Sequence, residues 1–565
     1  MPKRISTTIV DDFTGGLNLN ANAFQLVDNE SPDLLNVDLG PQGGVSLRKG
    51  MVSTIHTTSK VPLSSWTFRP NSSSAEYALT QESTTHGIVA YNSGVSTFYT
   101  TAPLGTSTGT SKRWHAANFS NPLSLANNAC YIVRAGTLPS LKWTGVAASA
   151  TVAELVNPTV GPTWSEDFES PIRNNMPIAY YATAHREYMF VASTLETGGI
   201  THDSRVRFSH PGEVESWRAL DWFDVEPGRY GKITGMVSSG DTLYIFKDSA
   251  IYALRGYDAD SFDLTKISDQ VGAVSQEAIV VTPVGAYCFS WPEGVYRVGS
   301  DGVQEVSSKI QPLFEDNGVT IGARLYSIFL GWVGRRLYVS LPLVASDATT
   351  VCSHSYVYDP EINAWTVFRY ASTVSGVRYY RGFQGFFSLS GANTASTSGA
   401  IVDYAWEPIN TTSLVTLEST TTGADTSAYS GTEKIEAFYQ TAWMDMENPA
   451  LVKSWKRPTI VVDSEGTDYV LQLYGYKDYS VQGIPVDFVI GNPASIPTTN
   501  SVWGTGVWNT AKWAVATGDR LDIEKGARLG RATSVSLKIV GPVGSTIRWA
   551  VSAIVWKFIP KRMKS

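Results

Sequence analysis

The sequence predicts an all-β chain: a β-propeller of six to eight blades over residues 51–410, preceded by an N-terminal arm and followed by a β-sandwich. Three observations predict it. Apolar residues make up 43% of the chain and aromatics 12%, against 17% charged, with 48 glycines among 565 residues. That balance suits strands and tight turns and argues against disorder, coiled coils and helical bundles. From residue 232 onward the chain falls into units of four short apolar runs, with starts near 232, 277, 324 and 374. A spacing of roughly 45 to 50 residues is the length of a four-stranded blade. Each unit also repeats a strand, a Gly or Asp turn and an aromatic strand, as in Phe246-Lys247-Asp248-Ser249-Ala250-Ile251-Tyr252. A small sheet with two apolar faces cannot bury both alone, so the units must stack on one another.

Taken in order, residues 1–50 form the arm. Phe13-Thr14-Gly15-Gly16-Leu17-Asn18 reads as a turn, and Asp28-Asn29-Glu30-Ser31-Pro32-Asp33-Leu34-Leu35-Asn36 as one short helix, with Ser31 as N-cap and Pro32 at the first helical position. Between residues 51 and 232 the runs Trp66 to Leu79, Gly87 to Phe98, Arg113 to Phe119, Ala129 to Val133, Ala179 to Ala184 and Glu187 to Ala192 read as degenerate copies of the later hairpins. The last regular unit begins near Gly376-Val377-Arg378-Tyr379 and passes Gly385 to Leu389. Ser, Thr, Gly and Ala dominate residues 391–432, and residues 411–432 are expected as a linker. Beyond it, alternating runs such as Thr459-Ile460-Val461-Val462, Tyr469 to Tyr474, Val535 to Val540 and Arg548 to Trp556 predict a sandwich over 433–565.

Charge and motif content narrow the function. Forty-four Lys and Arg against 51 Asp and Glu leave a net charge of −7, with no long run of one sign. Stable nucleic-acid binding is not expected of such a chain. No run approaches the 18 to 20 apolar residues needed to cross a bilayer, and no apolar segment follows Lys3 and Arg4, so a soluble chain without an export signal is expected. Cys130, Cys288 and Cys352 stand in strand-like runs and read as buried reduced thiols, in keeping with a reducing cytoplasm. Gly105-Thr106-Ser107-Thr108-Gly109 matches the nucleophile-elbow pattern but lacks the strand before and helix after it. The histidines at 56, 86, 115, 185, 202, 210 and 354 have no metal-ligand spacing, there is no Cys-x-x-Cys, and no calcium loop occurs. Acids gather at Glu166, Asp167 and Glu169 and at Asp221, Asp224 and Glu226. Paired carboxylates can cleave glycosidic bonds, but neither group has an evident arginine set in sequence, and solvated loop acids are the expectation. Trp503, Trp508 and Trp513 read as strand residues of the sandwich, with a sugar-binding face or subunit contact as the other reading. The one basic cluster, Lys557, Lys561, Arg562 and Lys564, reads either as an assembly contact or as a solvated end. No catalytic, cofactor or metal residue is expected, and no enzyme activity.

Several segments carry a resemblance. Asp11-Asp12-Phe13-Thr14-Gly15-Gly16-Leu17-Asn18, Leu26 to Asp38 and Gly43-Gly44-Val45-Ser46-Leu47-Arg48-Lys49-Gly50 are similar to the start of tailed-bacteriophage tail proteins built on a β-propeller, of the tail nozzle or tail tubular protein B type. Arg207-Phe208-Ser209-His210-Pro211-Gly212 to Trp217 resembles the motif those proteins carry before a blade, and Ile233 to Gly256 continues it. Phe438 to Asp445, with Lys453-Ser454-Trp455-Lys456-Arg457-Pro458, resembles the start of their platform domain. The resemblance implies a virion protein, made and assembled in the host bacterial cytoplasm. It implies a ring of six copies at the distal tail, docked on a tail adaptor or tube protein, with tail fibres as further neighbours and a channel for DNA ejection. The chain is shorter than the larger members and has no long insertion to build a tip domain. A mildly acidic composition fits such a channel, because a basic lumen would hold phosphate through counterion release. Low charge with many aromatics suits permanent subunit contacts. A receptor- or glycan-binding propeller at the tail tip is the second reading, and a carbohydrate-cleaving propeller the third.

Overall fold

The computed structural model describes residues 5–58, 62–70, 76–82, 88–92, 95–99, 113–120, 128–136, 138–144, 153–155, 176–343, 352, 354–374, 377–381, 386–389, 402–409, 411–416, 424–427, 431–463, 471–486, 520–523, 529–541 and 548–560. The chain is mostly β and divides into two compact units. One comprises residues 53–353 and 381–416; the other comprises 1–52, 354–380 and 417–565.

The first unit is a succession of small antiparallel sheets. Four strands each build the sheets Pro62–Phe68 to Val95–Tyr99, His115–Phe119 to Ala153–Glu154, Ala179–His185 to Trp222–Asp224, Ile233–Ser239 to Asp263–Ser268 and Ile279–Thr282 to Gly302–Glu305. The hairpin Phe329–Val333 with Arg336–Leu341 follows. In the last sheet Phe386–Leu389, Val402–Ile409 and Thr411–Thr416 pair in turn, and Val52–Thr58, from far upstream, joins Thr411–Thr416. Among the described residues seven leading strands meet in sequence: Pro62–Phe68 touches His115–Phe119, and so on through Ala179–His185, Ile233–Ser239, Ile279–Thr282, Phe329–Val333 and Phe386–Leu389. The last returns to Pro62–Phe68, so the circuit closes. This is a propeller-like arrangement.

Strand periodicity explains the stacking. Successive side chains of a strand point to opposite faces. On Ala129–Arg134, Cys130 and Ile132 enter a core with Phe68, Leu79 and Trp143 of one neighbour side, while Tyr131 and Val133 enter another with Met189, Val191 and Trp217. Thr242–Lys247 does the same: Leu243 and Ile245 pack with Phe190 and Phe208, and Tyr244 and Phe246 with Ala286 and Cys288. The sheets that begin at His115, Ala179 and Ile233 are therefore apolar on both faces, which is why their inner strands read as unbroken apolar runs. At ~1.5–3 kcal/mol for each fully buried large side chain, the inter-sheet cores are the main stabilising term.

The second unit holds two larger antiparallel sheets. In one, Ala550–Pro560 carries Lys453–Trp455 and Thr459–Asp463 end to end along one edge and Ser6–Val10 and Val45–Leu47 along the other. In the other, Val535–Val540 lies between Phe438–Gln440 and Gln472–Lys477, and Leu34–Leu35 pairs with Phe438–Gln440. The unit also contains the hairpin His354–Asp359 with Ala364–Phe368.

Three expectations are corrected. Residues 28–36 form no helix: Glu30–Ser31 pairs in parallel with Gly16–Leu17, and Leu34–Leu35 joins a sheet. Ser31 Oγ, expected to cap a helix, donates to the Gln440 carbonyl at 2.7 Å and also bonds at Asp33, so a partner 409 positions away in sequence wins over the local cap. Val377–Arg381 pairs with Tyr370–Val374 as a two-stranded sheet and does not open a unit, which starts instead at Phe386. Regular strands, Thr411–Thr416 and Ala424–Ser427, occupy the segment expected as a linker.

Candidate functional site

The acids singled out in sequence are held by arginines. Arg205, on the Ile200–Phe208 strand, grips Asp224 with Nε and Nη2 at 2.9 and 3.2 Å and reaches Glu196 Oε2 with Nη1 at 3.0 Å. Its guanidinium carbon lies 3.6 Å from the Trp222 ring centre. Two positions on, and so on the same face of the strand, Arg207 donates from Nε to Glu196 Oε1 at 2.8 Å and from Nη1 to the Ala219 carbonyl. Thr194 Oγ1 adds a third donor to Glu196. Burial pushes the Glu196 carboxyl up, but the hydrogen bonds and charges of Arg207 and Arg205 outweigh it and leave the pKa below the ordinary glutamate value. Asp221 is forked by Arg218 at 3.0 Å from both Nε and Nη2, and Glu226 faces Lys266. Asp221, Asp224 and Glu226 are thus paired, not the solvated loop acids expected: Asp224 meets its arginine through strand pairing, Asp221 through a residue three positions away, and Glu226 meets a lysine. Glu196, held below its ordinary value, lacks the raised pKa that a general acid needs. Glu166, Asp167 and Glu169, the Gly105–Gly109 stretch, His86 and Trp503, Trp508 and Trp513 lie outside the described residues.

A second polar group sits where the leading strands meet. A cavity of about 210 Å³ has Trp66, Trp114, His115, Glu277 and Phe329 in its wall. Glu277 Oε1 lies 3.6 Å from His115 Nδ1 and 3.9 Å from Arg113 Nη1. Among the described residues neither terminal nitrogen of Arg113 has a hydrogen-bond partner, although the guanidinium lies 4.4 Å from the Phe329 ring centre. Burial holds the His115 pKa below its ordinary value, with Glu277 opposing and Arg113 reinforcing the shift, so the imidazole is neutral at pH 7. The group joins the start of the His115–Phe119 strand to the Gln276–Ala278 turn by charge in a weakly solvated place. Nothing in the sequence marked it, since Arg113, His115 and Glu277 belong to no spaced motif.

The three cysteines are buried, and burial pushes the thiols of Cys130 and Cys288 far up, away from nucleophilic thiolates. Among the described residues no group of three or more His, Cys, Asp or Glu side chains could hold a metal ion, and no helix is long and apolar enough to cross a membrane. Of the basic residues read as assembly contacts, Lys557 is half-buried on the Ala550–Pro560 strand, opposite Thr7; Lys561, Arg562 and Lys564 lie outside the described residues.

No protein-family model matches the chain, and no curated protein matches it. Among solved structures it is similar to the extracellular domain of a hybrid two-component system of B. thetaiotaomicron, at 9% identity and a TM-score of 0.36, over 66% of this chain and 40% of that one. It is similar to BBS1N in a complex with ARL6DN, at 9% identity and a TM-score of 0.38, over 66% of this chain and 98% of that one. A complex of S. cerevisiae Dbp5, Nup159 and Gle1 contains a further similar chain, at 10% identity and a TM-score of 0.27, with 54% and 89% covered. The chain spans about 40% of the length of the first of these. At such scores no functional argument follows, and the propeller-like description rests on the strand pairings.

Proposed function

We propose that this chain is a structural subunit of a bacteriophage tail, which closes with further copies into a ring, of six by the resemblance, and gives DNA a passage at the distal tail. The observation that carries the reading is the convergence of the resembling segments. Those from both chain ends, 11–18, 26–38, 43–50, 438–445 and 453–458, share one compact unit. Phe13 is fully buried there and meets Tyr439 edge-on at 5.3 Å. Asn36 Nδ2 donates to the Glu436 carbonyl, and Lys538 pairs with Asp33 at 2.7 Å. Motifs 400 residues apart that knit one unit behave as a single structural signature.

The finer fold in this reading is a seven-bladed propeller and a sandwich platform. Seven leading strands in a closed circuit support the first, and the two antiparallel sheets of the second unit support the other. In such a protein the work is mechanical: it holds a ring and lets DNA slide. A net charge of −7 suits passage without retention. Docking on a tail adaptor or tube protein belongs to the same reading.

Glycan binding is the competing reading, and the observation behind it is the cavity with Trp66, Trp114 and Glu277 in its wall. Negative-stain imaging with mass photometry of the chain, alone and with the adaptor ring of its source particle, separates the two. Closed rings with a pore support the tail subunit and count its copies. A monomer that ignores the ring and binds host glycan overturns it.

A further inference from the structure

We propose that neighbouring copies of this chain dock through two complementary surfaces of the unit that contains both chain ends: an aromatic knob rimmed by acids on one copy, and an aliphatic, basic strip on the next. The proposal rests on the ring reading and names the contact that closes it.

The knob is apolar where a solvated loop would be polar. Phe24, 70% exposed, packs at a tilt against Tyr479 with ring centres 4.2 Å apart, and the Tyr479 ring centre lies 4.8 Å from that of Trp443. Val27 and Val481 beside it are 59% and 95% exposed. Asp28, Asp445 and Glu447 rim it: burial and then the charges of Asp445 and Glu447 hold the Asp28 carboxyl above its ordinary value, a repulsion that a cationic partner relieves. Two turns present these groups, and each has two successive non-glycine residues in the left-handed region: Met446 and Glu447 at φ 53° and 60°, Asp478 and Tyr479 at φ 48° and 61°. Such conformations persist where surrounding bonds fix them. Here Asp478 Oδ1 accepts from Thr533 N and Oγ1, both at 2.6 Å, and Lys453 Nζ donates to the carbonyls of Asn448, Leu451 and Thr533. An exposed aromatic group held rigid in advance loses little entropy on binding, as interface anchors require.

The strip lies on the Ser6–Val10 strand and its partner. Ser6–Val10 pairs with Ala550–Pro560 in the register Thr7 to Lys557 and Ile9 to Val555, and its other edge carries no paired strand among the described residues. Alternation turns Ile5, Thr7 and Ile9 to one face, where Ile5 and Ile9 are 56% and 57% exposed and Lys557 stands between them. Lys456 N donates to the Lys557 carbonyl, which brings Lys456 and exposed Arg457 alongside. The strip is aliphatic with three cations; the knob is aromatic with three anions. Surfaces that differ from one another and match in charge make a head-to-tail contact, which closes into a ring when its rotation allows.

Charge reversal tests this in the full chain. Asp28→Lys with Glu447→Lys turns the knob basic, and Lys456→Glu with Arg457→Glu turns the strip acidic. By native mass spectrometry and mass photometry at low salt, each variant alone is expected to lose oligomers, with association weakened about 30-fold or more. An equimolar mixture of the two is expected to regain them, because each knob again meets a strip of opposite sign; regain also proves both variants folded. Oligomers of either variant as stable as the wild type overturn this contact and leave the ring reading standing, as does loss without recovery on mixing while both variants keep the wild-type circular dichroism. A wild-type chain that stays monomeric at every concentration, alone and with the adaptor ring, overturns both.

Discussion

Glu196→Gln tests whether charge pairing on the Ala179 to Asp224 sheet stabilises the fold in the way the geometry requires. Glu196 is 10% exposed and Arg207 2%, and their 2.8 Å contact is one of three hydrogen bonds the carboxylate accepts. Glutamine keeps one acceptor and turns a donor toward a guanidinium. Arg205 retains Asp224, but Arg207 keeps only the Ala219 carbonyl. Each charge-assisted hydrogen bond contributes ~1.5–3 kcal/mol, and breaking one side of a buried pair costs ~3–5 kcal/mol; a loss of about 3–4 kcal/mol at pH 7 follows. The sign with pH is fixed by the lowered pKa of Glu196. Its contribution is complete above the ordinary glutamate value and disappears as pH falls through the depressed folded value. Below that point the wild-type carboxyl is protonated and resembles glutamine. Urea unfolding followed by tryptophan fluorescence, for both chains at pH 7 and again at acid pH, reads the difference. A gap under about 1 kcal/mol at pH 7, or one that does not shrink in acid, refutes the reasoning.

Three further outcomes are expected. Gly16 has φ +66°, and a Cβ at this position would lie 2.8 Å from Ala364 Cβ and the Trp365 carbonyl, so Gly16→Ala should destabilise its unit by ~1–3 kcal/mol, seen as faster proteolysis between residues 1 and 52. Lys247 is fully buried and donates to Ser204 Oγ and the carbonyls of Val225 and Glu226; Lys247→Met leaves those acceptors unpaired and should cost ~2–4 kcal/mol by denaturant titration. A thiol reagent should label no cysteine in the native chain and all three after unfolding, since each is buried.

The legible part of the fold was the part made by local pattern. The runs from Ile233 to Glu305 became strands in the expected places because tight turns separate them and the inner strands, such as Thr242–Lys247 and Gly285–Ser290, are buried on both faces and apolar along most of their length. Residues 30–36 misread because their partners are distant: Gln440 takes the hydroxyl of Ser31, Glu436 takes the amide of Asn36, and Arg48 and the Arg369 N–H converge on Asn36 Oδ1. A capping signal weighs ~1 kcal/mol, less than that set of buried bonds. The pairing of Ser6–Val10 with Ala550–Pro560 was equally invisible, since no local property of either segment names the other. Polar residues on strands misread for a related reason: Arg205 and Arg207 look like solvent-facing alternation until Glu196 and Asp224 arrive from adjacent strands, and Arg113 meets Glu277 although their sheets are not consecutive in the circuit.

The closure of the sheet circuit has a mechanical consequence. Val52–Thr58 pairs with Thr411–Thr416 in a sheet that begins at Phe386–Leu389, so the earliest and latest segments of the first unit hold one sheet. The chain also passes between the two units four times, at 52/53, 353/354, 380/381 and 416/417. No single linker can be cut to free one unit from the other, and the last sheet cannot peel away without losing Val52–Thr58, a strand from the opposite end of the unit. Such long-range closure delays folding, because loop entropy is spent before the contacts form. Unfolding has a different requirement: the contacts that close the circuit must break before the circuit opens. On the tail role proposed above, slow local opening would matter more than a high equilibrium stability.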